Sequence, residues 1–399
     1  MQRKKILWLT NWYPNRNDLF DGDFIQRHAR AAAIFHDVHV IFVTEAAAGQ
    51  DPGEVVHRAT GLTEQVIYGK RISGILGKVR RALHWKNLFM QAVEAYIRDH
   101  GQPDHVHIHI PWKVGIVALW VRQKYKRPFI VSEHWSFYEE TIMNAKALEG
   151  RSTWMMKLLT RIYTEAQAVV AVSEHLSSVL QKTVGRKADY IIPNVVDTTL
   201  FFPGKEKYSR FTFIHVSNMV PVKNVGSILE AFAMLVHDSN TPDTQLVLVG
   251  NRDETYVEQA RTLGLLNTSV FFRGELSYAE VADEMKRAHA LVMYSKTETF
   301  SCVTAEALCC GLPVVASLAG ALPELVNASN GIVVTPGNVE ALSDALGIMR
   351  KEQSSFNGAA IADAAARKWG YGPVSEAFDQ LYTELARSRP ASLQGGFQG

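Results

Sequence analysis

In the stretch TETFSCVTAEALCCGLPVVAS, Thr297 to Ser317, Glu298 and Glu306 bracket seven residues that carry no charge. A carboxylate offers two acceptor oxygens side by side and so suits a pair of neighbouring hydroxyls on a sugar or ribose. The apolar run ALVMYS before Thr297 is expected to be a strand, and KTETF a loop leaving its carboxyl end. Ser301 is expected to cap a helix over CVTAEALCC, with Gly311 as its stop and Pro313 just beyond. Free N–H groups around Phe300 to Val303 would then form an anion site, assisted by the helix dipole, and a diphosphate is the ligand that site suits. One carboxylate would hold a ribose and the other a sugar, on either side of the phosphates. The residues alone leave a second reading open, in which Glu306 faces solvent and Glu298 sits in a surface loop. Against it, the helix is otherwise Cys, Val, Thr, Ala and Leu, and in such a buried setting an unpaired carboxylate is costly.

The elements that must position this pair follow a regular rhythm of apolar runs and amphipathic segments. KILWLT, VHVIFVT, HVHIHI, PFIVSEH and AVVAVS come first, and after about residue 205 FTFIHVS, QLVLVG, VFFRG, ALVMYS, PVVAS and GIVVTP repeat the rhythm. Strands apolar on both faces and alternating with helices indicate parallel sheets covered on both sides. The expectation is α/β, with two doubly wound, Rossmann-like domains facing each other across a cleft. The join falls in IIPNVVDTTLFFPG, punctuated by Pro193, Pro203 and Gly204. A length of 399 residues suits two cores, and a net charge of +2 argues against nucleic acid as a partner. Three cysteines, Cys302, Cys309 and Cys310, make no disulfide framework and no zinc cluster. The start MQRKKILWLTNWYP has too short an apolar run for a leader, so a cytoplasmic location is expected.

Other positions carry chemistry less clearly. VSEH occurs twice, at Val131–His134 and Val172–His175; Ser173 reads as a helix cap, whereas WSFY after His134 reads as a loop lining a pocket. HVHIHI sets His105, His107 and His109 on one strand face, a poor arrangement for zinc because ligands from a single strand face rarely converge tetrahedrally. No Gly-rich turn follows KILWLT or FTFIHVS, so the dinucleotide fingerprint of a dehydrogenase is missing. Gln65 to Val93 contains no acidic residue, while Lys70, Arg71, Lys78, Arg80, Arg81 and Lys86 lie among or near Leu83, Trp85, Leu88 and Phe89. RSTWMMKLLTR is similar in character. These segments read either as contacts with an anionic membrane or lipid-linked molecule, or as solvated helices with one buried face.

The Glu, seven residues, Glu pattern followed by ALCCGLPVVAS and a later Pro-Glu resembles the donor site of retaining glycosyltransferases of family 4, which have the GT-B fold. The resemblance spans nearly the whole chain. It implies an acceptor-side domain over residues 1–200 and a nucleotide-sugar domain over 205–365. A helical segment over 366–388 would pack back on the first domain, before a disordered tail at 389–399. Glu298 would contact hydroxyls of the transferred sugar and Glu306 the ribose, while amides near Phe300, Ser301 and Cys302 take the diphosphate. In HVSNMVPVKN, Lys223 matches the family lysine that neutralises the departing diphosphate. Asn218 stands where the family has arginine, and Arg273 is the candidate to compensate. Gly22 is the point where backbone would approach phosphate, with Asp23 capping the helix that follows. His134 would touch the donor sugar and stabilise charge developing on its ring, while His109 and Trp135 belong to the acceptor side. Two departures stand out: Val195 replaces a glycine in PNVVD, and AGALPE has Ala319 for a common first glycine but keeps Gly320, Pro323 and Glu324.

What the resemblance implies is a retaining, metal-independent hexosyl transfer without cofactor. The sugar would pass from a UDP- or GDP-linked donor to a hydroxyl of a glycan or lipid-linked acceptor, in cell-surface polysaccharide or glycolipid synthesis. The protein would work in the cytoplasm or on the inner face of the membrane. The DGD tripeptide looks like a metal motif of a different transferase fold and is assigned here to a helix start. Two alternatives share the architecture, a non-hydrolysing nucleotide-sugar epimerase and a non-catalytic carbohydrate-binding protein.

Overall fold

The computed structural model describes residues 3–74, 77–139, 153–238 and 243–387. The expected disordered tail at 389–399 lies outside the described residues. Two sheets organise the chain. The first has eight strands in the order β3-β4-β2-β1-β5-β6-β7-β8. These are β1 (Lys5–Thr10), β2 (Asp37–Glu45), β3 (Gly53–Ala59), β4 (Leu62–Gly69), β5 (His105–His109), β6 (Phe129–Glu133), β7 (Ala168–Ala171) and β8 (Tyr190–Ile191). The second sheet has six, β9 (Phe211–Val216), β10 (Thr244–Val249), β11 (Val270–Gly274), β12 (Ala290–Met293), β13 (Val314–Ser317) and β14 (Gly331–Val334), in the order β11-β10-β9-β12-β13-β14. Helices alternate with the strands and cover both faces, which is why β1, β10 and β12 carry successive apolar residues and why β5, HVHIH, is buried along its whole length.

One edge departs from the parallel expectation. β3 and β4 form an antiparallel hairpin joined by Thr60 and Gly61, while β4 runs parallel to β2. Gly61 takes φ 73° there, the positive φ that a two-residue hairpin turn uses, while neither EVVHRA nor LTEQVIY carries the strict alternation that would mark a half-buried strand in the sequence. Where the strand order reverses, β1 lies between β2 and β5, and β9 between β10 and β12. In doubly wound sheets that reversal opens the crevice where ligands bind.

The chain crosses twice between the lobes. Ile192, Val195 and Val196 are buried on the first crossing, and Val195 is not among the residues with positive φ, as its side chain requires. The second crossing divides the segment expected to return as a unit. The Gly358–Trp369 helix packs on the Cys302–Cys309 helix, and from Tyr371 the Tyr371–Arg387 helix packs on the Asp23–Ala32 helix. Phe378, Leu381 and Tyr382 are fully buried against the first sheet, where the Tyr382 hydroxyl accepts from Trp8 Nε1 at 3.0 Å and lies 2.8 Å from His107 Nδ1. The last helix therefore closes the core of the first lobe although it is last in sequence.

Candidate donor site

The loop after β9 and the loop after β12 meet at the reversal of the second sheet. Lys223 ends a short 3-10 turn over Pro221–Lys223, and its Nζ lies 2.7 Å from Glu298 Oε1. The Ser295 hydroxyl donates to the same oxygen at 2.7 Å. Glu298 is held from below by Gly320: a Cβ there would stand 2.3 Å from the Glu298 carbonyl oxygen, and Gly320 has φ 56°. Ala321 N–H donates to that carbonyl at 2.8 Å. The Gly320 retained in AGALPE thus has a physical reason, since only glycine admits the Glu298 backbone at this distance.

The helix after this loop runs Cys302–Cys309, and Ser301 differs from its expected role. It occupies the N-cap position but with φ 74° and ψ 80°, and its side chain caps no N–H. Its hydroxyl instead pairs with Thr304 Oγ1 at 2.9 Å. The left-handed backbone turns the serine away, leaving the first-turn N–H groups without a side-chain cap and free to meet an anion.

Glu306, one turn in, is buried and does not face solvent. Arg27 from the Asp23–Ala32 helix of the first lobe reaches it at 2.8 Å, and the Tyr278 hydroxyl donates to the same Oε1. Among the described residues no hydrogen bond is made to Oε2. Burial pushes the Glu306 carboxyl up to about 7, against the pull of Arg27. Arg27 also lies 3.1 Å from Asp23 and over the Tyr278 ring at 4.9 Å. Sequence reasoning missed Arg27; a lone arginine in DFIQRH gives no hint of a partner 279 residues away.

His134 lies across the cleft, with both ring nitrogens engaged. Asn194 Oδ1 is 3.2 Å from Nδ1, and Asn194 Nδ2 donates to Cys302 Sγ at 3.4 Å, so the histidine donates and the amide accepts. His134 Nε2 therefore accepts from His109 Nδ1 at 3.1 Å. His28 completes the cluster, donating Nε2–H to the Pro193 carbonyl at 2.8 Å. One nitrogen from each of His28, His109 and His134 lies within 4.8 Å of the others, so among the described residues these three, from separate elements, have the spacing to hold a metal. His105 and His107 instead bond to Tyr382, so His109 parts company with its strand neighbours. Burial lowers the pKa of His28 to about 4 and takes His109 and His134 well below the ordinary range, so all three rings are neutral at pH 7. Glu133, fully buried, accepts from the N–H groups of His134 and Trp135 at 2.8 and 2.9 Å and fixes the loop they share.

The lobes touch around these groups. Thr299 Oγ1 donates to the His134 carbonyl at 3.0 Å, and Ser173 Oγ donates to the Thr299 carbonyl at 2.6 Å while capping Leu176 N–H, as expected of Ser173. Glu324 accepts from Glu174 and His175 N–H groups at 3.0 and 2.7 Å, a carboxylate at the start of the Glu174–Val184 helix. Between the lobes is a cavity of about 220 Å³ whose lining includes His134, Asn194, Lys223, Glu298, Ser301 and Cys302, with Phe300 beside them.

Six sequence candidates lie outside this lining. Glu306 is outside the cavity lining, behind Arg27 and Tyr278. Asn218 is exposed on the loop after β9 and does not line the cavity. Arg273 sits on the edge strand β11 with Glu284 at 3.9 Å and Tyr208 at 3.5 Å, so it does not supply the missing cation. Gly22 caps the first helix with φ 61°, and a Cβ there would meet Trp12 backbone carbon at 2.6 Å; the close approach is to protein backbone. Asp23 is the first helical residue and pairs with Arg27, so it is not the cap. Trp135 is half-buried, edge-on to Trp12 at 5.6 Å and stacked on Phe137 at 4.4 Å.

Comparison with known proteins agrees with this architecture. Residues 24–200 match the family model described as Glycosyltransferase Family 4, and residues 197–369 match that of Glycosyl transferases group 1. An N-acetyl-alpha-D-glucosaminyl L-malate synthase of Bacillus anthracis is 24% identical over 238 residues, 56% of this chain and 61% of that protein. A GDP-mannose-dependent alpha-(1-6)-phosphatidylinositol monomannoside mannosyltransferase of Mycolicibacterium smegmatis is 30% identical over 232 residues, 53% and 59% of the two chains. The matches thus span less than two thirds of these relatives. Among solved structures, sucrose-phosphate synthase from Thermosynechococcus elongatus superposes with a TM-score of 0.78 at 19% identity, covering 97% of this chain and 100% of that one. Anabaena HepE in complex with UDP-glucose gives 0.71 at 17% identity, covering 95% and 100%.

Proposed function

Since the chain belongs to the group 1, family 4-type glycosyltransferases of GT-B fold, we propose that it transfers a hexosyl group, with retention, from a nucleoside diphosphate to an acceptor hydroxyl. The observation that carries this reading is the meeting of Lys223, Glu298 and the uncapped Cys302 helix start in one cavity, facing His134 from the other lobe. The first-turn amides and Lys223 would hold the diphosphate and stabilise it as it departs. Glu298 would accept from hydroxyls of the sugar. Glu306, oriented through Oε1 by Arg27 and Tyr278, would offer Oε2 to the ribose. Arg27 belongs to the first lobe, so parting of the lobes uncovers Glu306, and a cavity of about 220 Å³ must widen to admit a nucleotide sugar.

Glu298 is the single carboxylate lining the cavity among the described residues. That supports attack on the same face as departure, with a donor phosphate oxygen taking the acceptor proton, over a double displacement needing two carboxyls about 5 Å apart. The neutral His134 would act through the position of its ring, with both nitrogens already bonded within the protein. The reaction needs no metal in this scheme. UDP- and GDP-linked sugars are both candidate donors; the HepE structure holds UDP-glucose and the mycobacterial relative is named GDP-mannose-dependent. The acceptor would be a glycan or a lipid-linked molecule of cell-surface polysaccharide or glycolipid synthesis, met on the inner face of the membrane. Among the described residues no helix is long and apolar enough to cross a membrane, so such contact would be peripheral.

The test is incorporation of radiolabelled sugar from UDP- and GDP-sugars into membrane extract. Wild-type protein is expected to label an acceptor, and Glu298→Gln to lose about 100-fold or more of that rate, the scale of removing one oriented polar group from a reacting centre. Interconversion of donors without incorporation would favour an epimerase, and binding with neither would leave a carbohydrate-binding protein.

A further inference from the structure

A second groove of about 900 Å³ opens on the first lobe beside the donor cavity. Trp12, Trp85, Trp112 and Trp154 line it, together with Lys78, Lys86 and Lys113. Trp12 forms the partition between the two: it meets Phe24 edge-on at 6.4 Å, and Phe24 lines the donor cavity. One layer of aromatic rings thus separates the groove from Glu298 and Lys223.

The cations and apolar groups are arranged unequally. Arg81 is 3.7 Å from Glu45, whereas no ion pair is made by Lys78, Lys86 or Lys113 among the described residues. Lys113 sits in a strained turn with φ 65° and ψ −59°, closed by Val114 N–H to Trp112 carbonyl at 2.9 Å. A γ-turn of this positive-φ hand is rare and unfavourable, and such strain concentrates at ligand sites. It holds the ammonium exposed while Trp112 lies edge-on to Trp154 at 6.4 Å. On the outer rim Leu83 and Trp154 are 54% and 60% exposed, beside the lysines. Past Lys86, Ile116 and Trp154 the groove continues into a further hollow of about 1070 Å³ containing Trp120. A free phosphate would need the cations without the row of tryptophan rings, and a neutral glycan would need neither the unpaired lysines nor the exposed Leu83.

Resting on the glycosyl-transfer reading for its catalytic meaning, we propose that this groove binds the acceptor as a phosphorylated lipid. Its phosphate lies among Lys78, Lys86 and Lys113, and its chain runs along Trp85, Trp112 and Trp154 toward the membrane. The hydroxyl to be glycosylated then emerges past Trp12 toward the donor. Apolar surface around a basic cluster gives the hydrophobic and electrostatic parts of such binding together.

The probe is farnesyl phosphate, titrated into the whole protein by tryptophan fluorescence, with farnesol and inorganic phosphate as controls. Saturable binding is expected for farnesyl phosphate, at least tenfold tighter than for farnesol, with no displacement by millimolar inorganic phosphate. Lys113→Gln with Lys78→Gln, and separately Trp154→Ala, are each expected to weaken it about tenfold while the melting temperature shows the fold intact. Equal binding of farnesol and farnesyl phosphate, displacement by phosphate alone, or variants that bind as well as wild type would overturn the proposal. Thermal shifts with UDP and GDP run on the same samples: a nucleotide response without lipid binding sinks the groove alone, and lipid binding without any nucleotide response sinks the transferase reading instead.

Discussion

Glu306 shows how a single residue's setting differs from its sequence context. Among Cys, Val, Ala and Leu its burial is legible, but its partner Arg27 is not, because the pairing is made across two lobes and 279 positions. The consequence is measurable. With a pKa raised by burial to about 7, Glu306 loses its charge as pH falls through neutrality, and nucleotide affinity is expected to drop between pH 8 and 6. Glu306→Gln should bind weakly but with a flat profile over that range, read by calorimetric titration. A wild-type profile as flat as the variant's would remove Glu306 from the ribose site. Glu298 and Lys223 were legible by spacing and resemblance, and the structure brings them to 2.7 Å. Arg273, the candidate substitute for the cation missing at Asn218, is carried out of reach by its own strand, two away from β9.

At the scale of elements, the loop Tyr294–Ser301 is shaped by contacts from outside itself. Gly320 packs under Glu298, and Ser301 adopts a left-handed conformation that frees the helix start. Cap preferences assign serine to the N-cap correctly and its hydrogen bond wrongly, since the cap rule presumes an extended backbone at that residue. Gly320→Ala must displace the Glu298 backbone and adopt φ 56° at a cost of about 1–2 kcal/mol. The expected result is a folded protein, by circular dichroism, whose transfer rate falls at least tenfold; an unchanged rate would mean that the position of Glu298 is immaterial. The alternating strands were legible because burial on both faces produces continuous apolar runs. The β3–β4 hairpin is not legible in this way, because its exposed β3, GEVVHRA, has no such run.

For the molecule as a whole, neutral buried histidines set the response to acid. His28, His107, His109, His134 and His215 all have their pKa lowered, chiefly by burial. Below the unfolded value of about 6.5 the unfolded chain binds protons that the native one refuses, so stability is present above that pH and lost as it falls. Each such group contributes up to about 1.4 kcal/mol per pH unit. The Glu306, Asp21 and Glu133 carboxyls, pushed up chiefly by burial, work in the opposite sense, favouring the native state as pH falls below their raised values, but they are fewer than the histidines. Urea midpoints are therefore expected to fall steeply from pH 6.5 to 5; a flat trend would mean that these rings are not buried neutral. The two-lobed plan was legible from the repeated rhythm, while the return of Tyr371–Arg387 to the first lobe could be inferred by resemblance but not from its amphipathic pattern, which names no partner.

The claim on which the rest stands is that the second lobe holds a nucleoside diphosphate at the start of the Cys302–Cys309 helix with Glu306 on its ribose. Calorimetric titration of UDP and GDP at pH 8 into wild type and Glu306→Ala tests it most directly. The account expects one of the two nucleotides to bind wild type, and the variant to bind it about 10- to 100-fold more weakly, as for loss of a charge-assisted hydrogen bond worth about 1.5–3 kcal/mol. Absence of binding by either nucleotide, or undiminished affinity in the variant, would contradict it.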